Sequence, residues 1–166
     1  MSRGFVREDD QEEAPFIPPR APLPDGVANY VTPRGLEQLL LERTALTDER
    51  ANAGGSDDER RRTQAEMDGR LALLQERINT ARVVEVATDH DEVRFGNTVT
   101  VLHLSGPLKD QRHSWTIVGV DEASVKEHRI AFTAPLARAL MGHRTGDTVE
   151  MPAGAAPQRF RIIAIT

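Results

Sequence analysis

The spacing of apolar residues changes character twice along this chain. From residue 30 to about residue 84 they recur at threes and fours, and from residue 85 onward they alternate. The first regime predicts two helices. In NYVTPRGLEQLLLERTAL, Thr32 offers a capping hydroxyl and Pro33 follows at the first helical position, where a missing N–H costs nothing. Leu36, Leu39, Leu40 and Leu46 then line one face, and Gly54-Gly55 ends the helix near Ala53. A second helix is predicted from Asp57 to about Val83, with Met67, Leu71, Leu74, Ile78 and Ala81 spaced like a coiled-coil seam. Residues 57–66 carry almost nothing apolar, so that end cannot pack in the usual way. The prediction is a short antiparallel helical hairpin with a polar, mobile tip.

After residue 84 the period is two. VRFGNTVTVLHL, HSWTIVGV, HRIAF, DTVEM and RFRIIAI read as strands separated by turn signals such as Ser105-Gly106-Pro107. One short helix interrupts them at Pro135–Met141, entered through Ala134-Pro135 and stopped by Gly142. Five strands and one helix predict an α+β unit in which the helix covers one face of an antiparallel sheet.

Residues 1–29 fit neither pattern. They hold five of the ten prolines, and six acids against three arginines. Such a stretch builds no core and is expected to be a disordered, partly extended leader. A docking peptide presenting Phe5, or Phe16 and Ile17, is the functional alternative. The expected organisation is therefore a tail over 1–29, a helical hairpin over 30–84 and a C-terminal domain over 85–166.

Composition narrows the function. A net charge of −5 over 166 residues, with a pI near 5.6, disfavours nucleic acid as a direct high-affinity ligand. The absence of cysteine excludes disulfides and thiolate metal sites. No apolar run reaches membrane-spanning length and the N-terminus lacks a signal-peptide core, so a soluble, cytoplasmic protein is expected.

Self-contained chemistry is scarce. The histidines (His90, His103, His113, His128, His143) lack the spacing of a helical zinc site, and no phosphate-cradling glycine motif occurs. His103 and His113 are expected to face each other across a β-hairpin as an exposed pair. Asp121 and Glu122 read as ordinary solvated turn acids.

NYVTPRGLEQLLLER resembles the opening of Gre-type bacterial transcription elongation factors, with Tyr30, Thr32, Pro33, Gly35 and Leu36 in the expected order. VRFGNTVTV, WTIVGVDEA, IAFTAPLARAL and GHRTGDTVEMPAG resemble the C-terminal domain of the same family, so the likeness covers most of residues 29–166. It implies an N-terminal antiparallel coiled coil and an FKBP-like C-terminal domain. It also implies a monomeric accessory factor, not an enzyme, that binds RNA polymerase at the rim of its secondary channel, on a coiled coil of the β′ subunit. Any contact with DNA would come only through the transcription complex. The polymerase-contacting segment matches Thr133, Ala134, Pro135 and Leu136, with Thr133 where the family carries an acid.

The family's coiled coil enters the channel, and its tip acids help hold the Mg2+ of the polymerase for cleavage of backtracked RNA; the factor has no intrinsic cofactor. The acids in that position are Asp57, Asp58 and Glu59, which depart from the family's Asp-x-x-Glu pattern. Ser56-Asp57-Asp58-Glu59 also fits a capping box, and Arg60, Arg61 and Arg62 offset the charge a metal needs. The arms are about a dozen residues shorter than the family pattern, which removes roughly 15–20 Å of reach. Three functions follow for the tip: cleavage stimulation, occupation of the channel in competition with other factors, or a generic adaptor role. A peptidyl-prolyl isomerase, suggested by the FKBP-like fold alone, lacks an aromatic-lined pocket in the sequence.

Overall fold

A computed structural model describes residues 13–166; Phe5 lies outside the described residues. Helix α1 spans Pro33–Ala51 and helix α2 spans Asp57–Thr80. Thr32 caps α1, its hydroxyl accepting from the Gly35 amide at 3.0 Å. The helix ends at Ala51, two residues before the glycine pair region expected, because Asn52 turns both its backbone and side-chain amides onto the Asp48 carbonyl. Leu39 and Leu46 pack with Met67 and Leu74, flanked by Leu36, Leu71, Ile78 and Ala81. Arg50, at the far end of α1, meets Asp68 at 2.5 Å. The helices therefore run antiparallel, as their seam predicts.

At the base of this hairpin the chain forms two strands that periodicity does not reveal. Strand β1 (Asn29–Val31) and strand β2 (Ala81–Val83) pair in parallel, Asn29 against Ala81 and Val31 against Val83. Three residues at a helix boundary are too few to display a period. The second helix consequently stops at Thr80 rather than Val83.

The remaining strands, β3 (Thr98–His103), β4 (Arg112–Val118), β5 (Arg129–Ala131), β6 (Thr148–Met151) and β7 (Gln158–Ile165), form one sheet in the order β5-β4-β3-β7-β6. All five match the alternating segments. The sheet is mixed rather than wholly antiparallel, since β4 and β5 pair in parallel. Two 3-10 turns, Val120–Glu122 and Val125–Glu127, fill the link between them and carry the chain back to the same end of the sheet. Helix α3 (Pro135–Leu140) buries Ala137 and Leu140 against Val99, Val101, Ile117, Phe160 and Ile162.

The link between β4 and β5 also joins the hairpin to this sheet. Glu122 is buried, not solvated, and its carboxylate sits on the start of α1. It accepts from the Thr32 amide at 3.1 Å, the Thr32 hydroxyl at 2.5 Å and the Gly119 amide at 3.3 Å. A negative charge here also meets the positive end of the helix dipole. Two glycines make the approach feasible. A Cβ on Gly35 would lie 2.2 Å from the Glu122 carboxyl carbon, and one on Gly119 would lie 2.6 Å from the Tyr30 carbonyl oxygen. Tyr30 extends the joint by contacting Phe132 and Phe95, ring centroids 5.6 and 6.2 Å away.

Residues 13–28 adopt no helix or strand, as their prolines require, yet they lie against the hairpin instead of forming a free leader. Composition does not reveal this, because the contacts come from only a few side chains.

Glu122→Ala strands three donors at the joint. The expected loss is about 3 kcal/mol of unfolding free energy in a urea titration, the scale of charged hydrogen bonds and orphaned buried donors. A loss below about 0.5 kcal/mol would mean that the joint does not depend on this carboxylate.

Candidate functional site

The two places singled out by sequence lie on different parts of the fold. The tip comprises the α1–α2 connection and the start of α2, where Asp57–Arg62 are all exposed. Ser56 accepts from the Glu59 amide at 3.3 Å, and Glu59 accepts from the Ser56 amide at 2.7 Å, so the capping box forms as its sequence predicts. These bonds hold the Glu59 carboxyl below the usual carboxylate range, the Ser56 backbone amide foremost. Gly55, at φ +88°, lies directly beneath: a Cβ there would meet a Glu59 oxygen at 2.6 Å.

The aspartates are engaged as well. Asp57 pairs with Arg60 at 2.5 Å, and Asp58 pairs with Arg61. Each acid of the tip therefore has a partner within its own first turns. Among the described residues no group of three or more His, Asp or Glu side chains converges as a metal ion would require. A hard divalent cation needs several oxygens aimed at one point. The tip acids do not by themselves form a metal site.

Thr133, Ala134, Pro135 and Leu136 lie where β5 turns into α3. The Ala134 amide donates to the Ala131 carbonyl at 2.9 Å and closes the turn, and Pro135 begins the helix. Pro135 is exposed, Thr133 is half-buried, and Ala134 and Leu136 rest on the core. Beside them Phe132 packs edge-on to Tyr30 and Phe95. These four residues follow one another at the turn into α3, where Pro135 is the exposed one, and the tip acids lie on a different element, at the start of α2.

His103 and His113 do face each other across β3 and β4, at 2.9 Å between ring nitrogens. The pair differs from the exposed one expected, because His103 is only 8% exposed and stacks edge-on to Phe160. Burial, and secondarily the neighbouring His113, hold the His103 ring below its ordinary pKa.

The family model described as the C-terminal region of the transcription elongation factor GreA/GreB matches residues 88–166. GreA of Brucella canis is 32% identical over 152 residues, covering 81% of this chain and 95% of that relative. The chain belongs to the GreA/GreB family. GreA of Acidiphilium cryptum is 38% identical over 106 residues, covering 63% of this chain and 66% of its own length. Among solved structures, Gfh1 of Thermus aquaticus (24% identity, 82% of this chain, 96% of that chain) and a GreA/GreB factor of Nitrosomonas europaea (22%, 82% and 98%) each superpose with a TM-score of 0.40. A GreA/GreB member is an accessory elongation factor and not an enzyme in its own right. No helix among the described residues is long and apolar enough to cross a membrane.

Sequence reasoning missed Asp121 and Glu122, which lie in this GreA/GreB chain's joint. The available signal was Gly35 in the first turn of a helix, where glycine is costly unless something must come close.

The histidine pair yields a pH dependence. Folded His103 binds its proton less readily than the unfolded chain does. Stability is therefore full above the ordinary histidine value, about 6.5, and falls as pH drops below it. Urea midpoints measured from pH 7.5 to 5.5 are expected to decline, and His103→Leu to flatten that decline. An equal slope in the variant would assign the effect elsewhere.

Proposed function

We propose that this GreA/GreB member binds RNA polymerase at the rim of the secondary channel through the turn at Thr133, Ala134, Pro135 and Leu136. In this reading residues 85–166 are the polymerase-binding domain, residues 30–84 are a hairpin directed into the channel, and the chain acts as a monomer. The hairpin modulates elongation by occupying the channel and competing with other factors that enter it. The observation that carries this reading is the state of the tip, where Glu59 closes a capping box and Asp57 and Asp58 are paired with arginines. Three acids against three arginines leave the tip with no net negative charge to contribute.

Cleavage stimulation is the second reading, and one observation favours it. The Asp57 and Asp58 side chains are 82% and 76% exposed, and ion pairs this exposed hold their partners weakly. The two readings separate in one assay. A stalled, backtracked complex is treated with the chain, alone and together with a cleavage-competent Gre factor. Channel occupation predicts no cleavage from the chain alone and slower cleavage by the competitor. Cleavage by the chain alone, abolished in Asp57→Ala/Asp58→Ala/Glu59→Ala, selects the second reading instead.

Docking is tested apart from the tip. Pro135→Glu places a charge on the exposed start of α3 without touching the buried Ala137 and Leu140. Retention on immobilised core polymerase is expected to weaken about tenfold or more, the scale of one lost interface anchor. Undiminished binding would move the contact off this turn, and no binding of the parent chain even at low salt would leave the adaptor role.

A further inference from the structure

We infer that the face of the helical hairpin is a docking site for the chain's own Ile17-Pro18-Pro19-Arg20 segment, and that this segment clamps the hairpin to the C-terminal domain. Two independent features build the site. The first is a notch at Gly69, in the middle of α2: a Cβ there would lie 2.4 Å from Ile17 Cδ1, so the isoleucine occupies the space that any other residue would fill. Glycine in a helix interior is unfavourable, and here its missing side chain is what admits the ligand.

The second is an acid pair from two different parts of the fold. Arg20 donates to both carboxylate oxygens of Glu42 on α1, at 2.8 and 3.0 Å, and to Asp121 at 2.9 Å. The Asp121 side chain is only 6% exposed and lies next to Glu122 in the joint. Arg77 on α2 completes the cluster, donating to the Ala21 carbonyl and standing 3.6 Å from Asp121. Two cations meet two acids here, and one guanidinium links α1 to the C-terminal domain. A planar fork with five donors suits that bridging task, since a lysine would lose the bidentate grip on Glu42. The prolines hold the segment extended, so little conformational freedom is lost when it docks. Phe16 is left 79% exposed beside the seated isoleucine.

The test uses the full chain and no polymerase, so its outcome is independent of the functional reading above. Trypsin cuts the Arg20–Ala21 bond only when the segment lifts away, and the rate follows the population of that open form. Gly69→Ala fills the notch while raising helix propensity, so the variant keeps its fold. Release of the fragment ending at Arg20 is expected to accelerate about tenfold in Gly69→Ala, and likewise in Glu42→Ala. An unchanged rate in Gly69→Ala overturns the docking site, whatever Glu42→Ala does. The clamp has its own readout. With no native cysteine, spin labels at Ala51→Cys and Lys109→Cys report the distance between hairpin and C-terminal domain. That distribution is expected to broaden when Gly69→Ala is added, and an unchanged distribution overturns the clamp.

Discussion

A single buried carboxylate, that of Glu122, determines how the two halves of this protein meet. Burying a charge costs several kcal/mol unless donors surround it, and here the donors come from both halves: Thr32 from the start of α1, Gly119 from the end of the sheet. The hairpin cannot supply this order alone. Its buried core is only Val31, Leu39, Leu46, Met67 and Leu74, and helices in proteins draw most of their stability from such packing. Anchoring the first turn of α1 fixes the helix axis at its base. The parallel pairing of β1 with β2 then holds the return of α2 beside it.

That joint also marks the boundary of what the sequence makes legible. Local chemistry was readable wherever one segment contains both partners: Thr32 with Gly35, Ser56 with Glu59, Pro135 at a helix start, and alternation along β3 and β7. Apart from the Asn52 turn that ends α1, the main unread features involve partners far apart in the chain. Thr32 and Glu122 are separated by 90 positions and Arg20 and Asp121 by 101. Nothing in WTIVGVDEA distinguishes an acid that turns inward from one that faces water. The parallel β4–β5 pair escaped for a related reason, because direction depends on the path of the link and not on the strands' own composition. The glycines were the exception. Gly35, Gly69 and Gly119 each stand where another residue would collide with a distant side chain or carbonyl, so they record long-range contacts locally.

At the tip, one set of residues satisfies two descriptions at the level of sequence, and each description makes its own demand on geometry. An acidic first turn suits both a cap and a metal site, since each rewards negative charge at a helix N-terminus. A cap needs one carboxylate folded back onto its own backbone. A metal site needs carboxylates turned outward and converging. Glu59 is folded back and Gly55 leaves room for it, so the cap is formed, while Asp57 and Asp58 stay on the exposed surface beside Arg60 and Arg61.

The joint and the tip are finally one problem of leverage. Nineteen residues of α1 place the tip about 28 Å from the base. Over that length, a tilt of roughly 10° at the base displaces the tip by about 5 Å, on the order of one helical turn. A short hairpin thus gains nothing from flexibility at its root, whether it fills a channel or reaches toward an active centre. Two glycine-lined approaches to one carboxylate, and an arginine that ties α1 to the neighbouring aspartate, are the means by which this sequence keeps that angle small.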